Sequence, residues 1–179
     1  MSQAAPALEN QLVRLEPANV GNVRLLIEWT LDPIAQGPYK RVPSLDANGL
    51  RRLFLDSQDR QYFLIRRATD ASPLGRFYWR AWQFGKLSAR IDWELNILLA
   101  DPHERGKGYG TAVQHLAADY LVTLSETRSI FAFTLETNRA ERRALVKAGF
   151  QERGLLPNSR YPVELPSDPC ILFVWNKGG

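Results

Sequence analysis

The segment Arg105–Gly110, of sequence RGKGYG, combines residue types that bind anions. It follows an apolar, strand-like run and opens an apolar-periodic helix, so free backbone amides at the helix N-terminus can donate to an anion. Glycines allow close approach of the backbone to a ligand, and Arg105 and Lys107 add positive charge. The segment therefore predicts a phosphate-binding loop, with an ordinary glycine-rich turn as the alternative.

Two other phosphate-binding motifs do not fit this spacing. A P-loop needs Gly-x-x-x-x-Gly-Lys followed by Ser or Thr, and a dinucleotide fingerprint needs Gly-x-Gly-x-x-Gly with an acidic residue about 20 positions later. Here Lys107 is followed by Gly108, and the three glycines are spaced Gly-x-Gly-x-Gly. Neither motif is present in this loop.

Two carboxylates precede the loop on one predicted strand. Alternation from Ala89 to Leu99 places Asp92 and Glu94 on the face opposite a row of apolar side chains. Within a mixed sheet these carboxylates need a cavity, a partner or solvent, whereas on an edge strand they would simply be solvated. The pattern leaves both alternatives open.

Composition limits the class of protein. With 179 residues, 45% of them hydrophobic, the chain can bury one core, which predicts a single domain over residues 1–179. Residues 1–10 lack the basic start and apolar centre of a signal peptide and are expected to be a flexible N-terminal extension. No tract is long and apolar enough to span a bilayer, so we expect a cytoplasmic protein without a membrane partner.

Charge and cysteine content argue against several partners. The 23 basic and 19 acidic residues give a net charge of +4, without the basic stripe or aromatic signature of nucleic-acid binding. His103 and His115 have no metal-ligand spacing with the carboxylates, so no metal is predicted. The single Cys170 begins an apolar run, which favours core packing over a reactive thiol.

Hydrophobic periodicity predicts alternating strands and helices without internal repeats. Asn138 is predicted to cap the last helix, with Glu141 completing a capping box. The predicted elements are strand Leu12–Leu15, a helix over Val20–Ile27 ending before Pro33, loop Asp32–Ser44, a short helix capped by Ser44 or Asp46, strands Gln61–Ala68, Leu74–Phe84 and Ala89–Leu99, a helix from Val113 to near Glu126, strand Ile130–Glu136, the helix between Asn138 and Gly149, and strands Gln151–Leu155 and Cys170–Trp175.

This order of elements resembles the fold of the GCN5-related N-acetyltransferases (GNAT). Three patterns carry the resemblance: the acidic strand Glu94–Leu99, the Arg-x-x-Gly-x-Gly pattern of Arg105–Gly110, and Asn138 with the later Ala148–Phe150. They resemble the family's strand before the loop, its coenzyme A pyrophosphate loop and its late Asn…Gly-Phe signature. The opening segment Leu12–Pro17 looks like the RimJ/RimL type, which acetylates ribosomal-protein N-termini, spermidine and other small amines.

The resemblance implies an α/β (α+β) fold, in which a mixed, mostly antiparallel sheet of about six to seven strands is flanked by about four helices. It also implies an acetyl-CoA-dependent N-acetyltransferase, monomeric or homodimeric, that acts directly on a primary amine of a small molecule or a peptide N-terminus. An antibiotic-modifying or biosynthetic amine acetyltransferase is one alternative, and a non-catalytic coenzyme A-binding module is another. Loop Asp32–Ser44, with Tyr39, Lys40 and Arg41, would tune the choice of acceptor.

Roles for individual residues follow from the same resemblance. An aliphatic amine is protonated at neutral pH and needs a base, for which Glu94 is the first candidate and Asp92 the second. A backbone N–H near Leu98 or Leu99 would stabilise the oxyanion. Asn138 would reach the pantetheine arm as well as cap its helix. The amides and side chains expected to bind pyrophosphate belong to Arg105, Gly106, Lys107, Gly108, Tyr109, Gly110 and Thr111.

Two positions depart from the family pattern. Leu145 stands where many members have a tyrosine that protonates the leaving thiolate, and Glu141 stands where a serine contacts the cofactor. A thiol with a pKa near 8.5 leaves tolerably well without an acid, so losing this group should cost less than losing the base.

Overall fold

The computed structural model describes residues 5–39, 44–82, 90–155 and 169–175, and these residues form one α/β domain. They contain eight strands and four α-helices, slightly more strands than the six to seven expected. In chain order the elements are β1 (Leu8–Glu9), β2 (Val13–Pro17), α1 (Val23–Leu31), α2 (Ala47–Asp56), β3 (Arg60–Arg67), β4 (Pro73–Trp82), β5 (Ile91–Leu99), α3 (Tyr109–Leu121), β6 (Thr127–Leu135), α4 (Arg139–Lys147), β7 (Phe150–Leu155) and β8 (Cys170–Trp175).

The strands form one sheet in the order β1-β2-β3-β4-β5-β6-β8-β7. Among the described strands, β5 and β6 pair in parallel and every other neighbouring pair is antiparallel. The expected mixed, mostly antiparallel sheet is therefore confirmed. Short β1 was not expected, because residues 1–10 read as an extension; Leu8 and Glu9 pair with Leu15 and Arg14.

Both faces of the sheet are covered, because its strands carry apolar side chains on both sides. On β3, Tyr62 and Leu64 pack into one cluster with α1 and α2. The alternate residues Phe63 and Ile65 belong to the main core, which includes α3 and α4. Successive side chains of a strand point to opposite faces, so this single strand joins the two helical layers through the sheet.

The first helix begins later than its periodicity predicts. Val20 lies outside α1 and is 75% exposed, whereas Val23 is buried at the start of the helix. Asn19 and Asn22 fold the intervening chain into a turn: Asn22 Oδ1 accepts from the Asn19 amide at 2.9 Å, and Asn19 Oδ1 accepts from the Gly21 amide at 2.8 Å. Such side-chain-to-backbone bonds compete with helix, which explains the later start.

The third helix ends at Leu121 instead of near Glu126. The amides of Thr123 and Leu124 bond to carbonyls three residues earlier, so a tight turn follows the helix. Leu124 still packs against the main core, which explains why its apolar character extended the predicted helix. Strand β6 then starts at Thr127, three residues earlier than predicted.

Some predictions fall outside the described residues. These are Lys40 and Arg41 in the acceptor loop, Phe84 at the end of one predicted strand and Ala89 at the start of the next. The predicted loop between β7 and β8, residues 156–168, also lies outside them. Within the described ranges, no helix has the length and apolar character to cross a membrane.

The parallel pair at the centre of the sheet is short. Strand β5 pairs with β6 only from Ile91 to Glu94, opposite Thr127 to Phe131, although both strands are described to their ends. Beyond Glu94, β5 continues to pair with β4 as far as Leu99, while β6 continues beside β8. The two strands therefore part and leave a wedge in the middle of the sheet.

Candidate active site

A cleft of about 1110 Å³ occupies this wedge. Its wall includes Glu94–Leu99 of β5, the loop Ala35–Tyr39 after α1, and parts of the segments that begin α3 and α4. Three separate sequence patterns thus meet at one site, represented by Glu94, Gly108 and Asn138. Asp92, the second carboxylate candidate, is not part of the cleft wall.

The glycine loop has the geometry of an anion-binding turn. Gly106 and Gly108 have φ values of 79° and 90°, in the left-handed region that glycine adopts without strain. Gly108 directly precedes α3, whose N-terminus has no side-chain capping hydrogen bond. Within the part of the chain that the structure describes, the first-turn amides, including those of Gly110 and Thr111, therefore have no side-chain acceptor at the edge of the cleft.

The two loop cations are engaged by the protein itself. The Arg105 guanidinium donates to the Leu99 carbonyl through Nε at 3.2 Å and Nη2 at 3.0 Å. Its Nη2 also donates to the carbonyls of Ile34 and Ala35, each at 3.2 Å. Arg105 thus braces the glycine loop against the loop after α1. Lys107 Nζ lies 3.2 Å from Glu104 Oε2, and Lys107 is not part of the cleft wall.

The remaining cofactor candidates hold the two flanking helices in place. Asn138 Oδ1 accepts from the Glu141 amide at 3.2 Å, so Asn138 caps α4 and also lines the cleft. Thr111 Oγ1 donates to the Ala144 carbonyl at 3.4 Å, which links α3 to α4. Tyr109 packs against the main core and is not part of the cleft wall.

Gly75 of β4 is a site residue that sequence reasoning missed. A Cβ at this position would lie 2.0 Å from the Leu98 carbonyl oxygen, so only glycine fits beneath that peptide. Because a carbonyl and the following N–H point in opposite directions, the Leu99 N–H points away from β4, toward the cleft. A glycine inside a strand pattern was the available signal.

Of the two candidates for the base, Glu94 is the one that lines the cleft. It is only 2% exposed, and Trp82 Nε1 donates to its Oε2 at 2.8 Å. Burial raises the pKa of Glu94, while the Trp82 hydrogen bond and the positive charge of Arg80 act in the opposite direction. The result is a positioned carboxylate whose pKa is shifted toward the range useful for a general base.

Asp92 is instead part of an ion pair. Arg128 Nε donates to Asp92 Oδ1 at 2.8 Å, Arg128 Nη2 bonds to Asp92 Oδ2, and Ser129 Oγ donates to Oδ1 at 2.6 Å. Arg128 and Ser129 belong to β6, so Asp92 stabilises the short parallel pair. Of the environments expected for these carboxylates, Asp92 has a charged partner and Glu94 lines a cavity.

Tyr39 and Glu141, which can each carry a proton, also line the cleft. Tyr39 Oη and Thr134 Oγ1 are hydrogen-bonded at 2.6 Å, and burial raises the pKa of Tyr39. Glu141 Oε1 accepts from Gln114 Nε2 at 2.7 Å, and burial raises the pKa of Glu141 to about 7, against the opposing effect of that bond. The predicted capping box is therefore only half formed, because the Asn138 amide donates to the Leu135 carbonyl.

Both histidines lie at the surface. His103 is exposed in a 3₁₀ turn before the glycine loop, and His115 is exposed on α3 with its Nε2 3.4 Å from Asp119 Oδ2. Among the described residues, no group of three or more His, Cys, Asp or Glu side chains could hold a metal ion.

Solved structures with this fold include several acetyltransferases. An acetyltransferase (GNAT family) from Bacillus anthracis matches with a TM-score of 0.70 at 12% identity, over 94% of this chain and 97% of that one. A spermidine N-acetyltransferase from Vibrio cholerae, in complex with CoA and spermine, matches with a TM-score of 0.71 at 16% identity, over 92% and 95%. Aminoglycoside acetyltransferase AAC(6')-Ib, in complex with coenzyme A, matches with a TM-score of 0.71 at 18% identity, over 92% and 95%.

Sequence comparison gives the family directly. No curated protein sequence is a significant match to this chain. The family described as Acetyltransferase (GNAT) domain matches residues 13–151, which include every strand and helix from β2 to α4 and nearly all of the cleft wall. The chain therefore belongs to the GNAT acetyltransferase family.

Proposed function

We propose that this protein transfers an acetyl group from acetyl-CoA directly to a primary amine of a small molecule or a peptide N-terminus. The observation that carries the proposal is one shared cleft, which contains both the buried carboxylate of Glu94 and the uncapped N-terminus of α3. A base and an anion site at the two ends of a cleft fit an amine acceptor and a pyrophosphate-bearing donor.

The cleft residues fit coenzyme A. The first-turn amides of α3 suit its pyrophosphate, and the exposed side chains of Arg143 and Lys147 on α4 line the same cleft and can supplement their charge. Beyond Glu94, none of the described strands lies beside β5 on the cleft side, so its backbone can pair with an extended pantetheine arm. The thioester would then lie near Leu98 and Leu99.

In the proposed acetyl transfer, Glu94 and the Leu99 N–H have different roles. Glu94, directly or through water, accepts a proton from the ammonium, and the freed nitrogen lone pair attacks the thioester carbonyl carbon. The Leu99 N–H donates to the oxygen that gains negative charge. The C–S bond then breaks, the amide nitrogen loses its second proton to the cleft or solvent, and the leaving sulfur takes a proton from the cleft or solvent.

The proton for the leaving sulfur has a different source from that in many relatives. Leu145, at the position of the usual tyrosine, is fully buried in the main core. Tyr39 and Glu141 both line the cleft, and burial raises the pKa of each, which favours the protonated form. We propose them as the candidate acids.

The finer parts of the proposal concern the acceptor and the cellular setting. The RimJ/RimL-like branch, the cytoplasmic location and a monomeric or homodimeric state stay predictions. Structural neighbours that are a spermidine and an aminoglycoside acetyltransferase support the alternative of an antibiotic-modifying or biosynthetic enzyme. The absence of a tyrosine at Leu145 supports a non-catalytic coenzyme A-binding module, whereas the buried Glu94 in the cleft supports catalysis.

Release of free thiol from acetyl-CoA in the presence of an amine panel tests the proposal. Glu94→Gln should lower kcat/KM at pH 7 by about 10²- to 10⁴-fold, because the variant cannot accept a proton, and should change acetyl-CoA affinity less than about twofold. The rate of the unmodified protein should fall as the pH drops through the raised pKa of Glu94, and the variant should lack this dependence.

Two other results would change the assignment. If Asp92→Asn abolished thiol release and Glu94→Gln did not, the base would be Asp92. We instead expect Asp92→Asn to lower the free energy of unfolding by about 2 kcal/mol, since it breaks the partly exposed pair with Arg128. Binding of acetyl-CoA without thiol release for every amine would favour the non-catalytic module.

A further inference from the structure

One arginine in the cleft wall has no hydrogen-bond or ion-pair partner among the described residues. Arg76 of β4 lies between Leu64 of β3 and Leu98 of β5 in the register of the sheet. Its Nε is buried and has no hydrogen-bond partner, and the guanidinium forms no hydrogen bond or ion pair with any described residue. Arg76 as a whole is partly exposed and lines the cleft, and a partly buried guanidinium without an acceptor calls for an explanation.

The other arginines of β3 and β4 are all paired with carboxylates. These two strands contain five arginines, and each of the other four has a carboxylate within 4.0 Å. The partners and shortest distances are Asp59 for Arg60 (3.7 Å) and Arg80 (2.8 Å), Glu16 for Arg66 (2.7 Å), and Asp70 for Arg67 (2.8 Å). Arg76 is the exception, and among these five it alone lines the cleft.

The residues next to Arg76 in the cleft wall do not neutralise its positive charge. Arg105 lines the same cleft, and its hydrogen bonds within the described residues go to uncharged backbone carbonyls. Burial lowers the pKa of the Arg76 guanidinium, but arginine starts so high that it keeps its charge at neutral pH. This end of the cleft therefore carries positive charge that an anionic ligand can neutralise.

The position of Arg76 places that anion close to the reacting atoms. Arg76 lies opposite Leu98, next to the Leu99 N–H that faces the cleft. Glu94 lies four residues before Leu98 on β5, about 13 Å away along the strand. Arg76 is therefore beside the oxyanion end of the site. The pyrophosphate end, at the start of α3, is a different part of the wall, and the pantetheine arm between them is uncharged.

We propose that Arg76 binds a carboxylate of the acceptor, so that the substrate is a small amine that also carries a carboxylate, such as an amino acid. This inference rests on the proposed acetyltransferase function and narrows its acceptor. A guanidinium binds a carboxylate through two parallel hydrogen bonds, which would fix the amine a few bonds away beside the thioester. A polyamine has no group for Arg76 and would be repelled by it.

Paired acceptors that differ only in this charge test the proposal. Thiol release is measured with glycine against glycinamide and with β-alanine against β-alaninamide, using the unmodified protein, Arg76→Met and Arg76→Lys. We expect the acid-to-amide ratio of kcat/KM to fall by about 10- to 100-fold in Arg76→Met, as a charge-assisted bond of about 1.5–3 kcal/mol is lost. Arg76→Lys, which keeps the charge without the fork, should give an intermediate ratio.

Comparing the acid-to-amide ratio of kcat/KM between protein variants cancels any difference in intrinsic reactivity between the two acceptors. An acid and its amide differ in amine basicity, but that difference is the same for every variant. Arg66→Met is the matched control, because it removes a half-buried arginine from the neighbouring strand that is paired with Glu16 outside the cleft. It should leave the acid-to-amide ratio unchanged. An unchanged ratio in Arg76→Met would overturn the proposal.

A binding measurement separates this proposal from the acetyltransferase function. In the presence of CoA, N-acetylglycine should raise the melting temperature of the unmodified protein more than N-acetylglycinamide, and Arg76→Met should abolish the difference. If the acid binds in this way but no amine is acetylated, the proposed function fails and the carboxylate site stands. Equal shifts with acid and amide, or an Arg76-dependent preference for phosphoethanolamine over β-alanine, would overturn the carboxylate assignment.

Discussion

At the scale of single residues, the site depends on how each buried charge is compensated. Asp92 is bonded to Arg128 and Ser129, and Glu94 accepts one indole hydrogen bond at the edge of the cleft. Glu141 has an uncharged amide, Gln114, as its hydrogen-bond partner. A full ion pair favours the ionised carboxylate, whereas one neutral donor compensates burial only in part. The three carboxylates are therefore suited to different tasks.

Glu141 should make the stability of the protein depend on pH. Burial raises its pKa from an ordinary 4.5 to about 7, so the folded protein holds this proton more tightly than the unfolded chain. The stabilisation is fully present below about pH 4.5 and is lost as the pH rises through about 7. The change amounts to at most about 3 kcal/mol. Urea unfolding of the unmodified protein and Glu141→Gln at pH 5 and pH 8 measures it.

From pH 5 to pH 8, the free energy of unfolding of Glu141→Gln should rise relative to that of the unmodified protein. The reason is that the variant has no carboxylate to ionise. Glu28→Gln is the control, since it removes a half-exposed carboxylate from α1 that pairs with Arg24 at 2.8 Å. Its difference from the unmodified protein should be nearly the same at both pH values. Parallel pH profiles for Glu141→Gln and the unmodified protein would contradict the prediction.

At the scale of elements, β5 organises the site because its two edges are used differently. Along β4 it is paired from Asp92 to Leu99, and along β6 only from Ile91 to Glu94. Its first half is thus fixed on both sides and carries the buried carboxylates. Its second half is fixed on one side and presents backbone groups to the cleft. Gly75 of β4 permits the orientation of the Leu98 peptide in this second half.

The same glycine-to-alanine change should have opposite effects in a strand and in a helix. In Gly75→Ala the new Cβ would lie 2.0 Å from the Leu98 carbonyl oxygen, so the backbone must shift, at a cost of about 1–3 kcal/mol in the free energy of unfolding. In Gly110→Ala the Cβ would meet Ala144 Cβ at 3.9 Å, an ordinary contact, and α3 should gain up to about 1 kcal/mol.

Denaturant unfolding of both variants checks this contrast. Gly75→Ala should also slow thiol release from acetyl-CoA in its folded fraction, because a rotated Leu98 peptide would move the Leu99 N–H. Full stability and full rate in Gly75→Ala would show that the peptide orientation described for Leu98 is wrong.

At the scale of the whole molecule, the sheet consists of two parts that share one short contact. The β1–β5 part and the β6–β8–β7 part are joined within the sheet by the short parallel pairing between Ile91 and Glu94 of β5 and the start of β6. The cleft wall includes residues from both parts, such as Glu94 and Ala132. A ligand that fills the wedge therefore contacts both parts and should hold them together.

Acetyl-CoA should raise the thermal stability of the protein for this reason. At a concentration of 100 times its Kd, a ligand adds about 2.7 kcal/mol, which corresponds to an increase in Tm of about 5–10 °C for a chain of this size. S-acetyl-N-acetylcysteamine, which lacks the pyrophosphate, should produce a much smaller shift in thermal denaturation. Equal shifts at equal concentrations would contradict the placement of pyrophosphate at the start of α3.

Local signals in the sequence were enough to identify the elements and the family. Strand alternation, the Asn138 cap and the glycine spacing of Arg105–Gly110 depend on neighbours within a few residues, so they can be read without coordinates. Their order along the chain then pointed to the GNAT fold. The errors lie at element ends, such as Val20 and Leu124, where turns formed by nearby side chains or backbone groups compete with the helix.

The roles of the charged residues required the folded chain. Asp92 and Glu94 are equivalent in the strand pattern, and they differ because Arg128, which lies 36 residues after Asp92, reaches only one of them. Arg105 looked like a ligand for phosphate, and its guanidinium instead bonds to a carbonyl 70 residues away. No sequence pattern indicated that Arg76 belongs to the site. Whether a charge finds a partner depends on strand register and on packing between distant segments, and short-range sequence patterns do not contain that information.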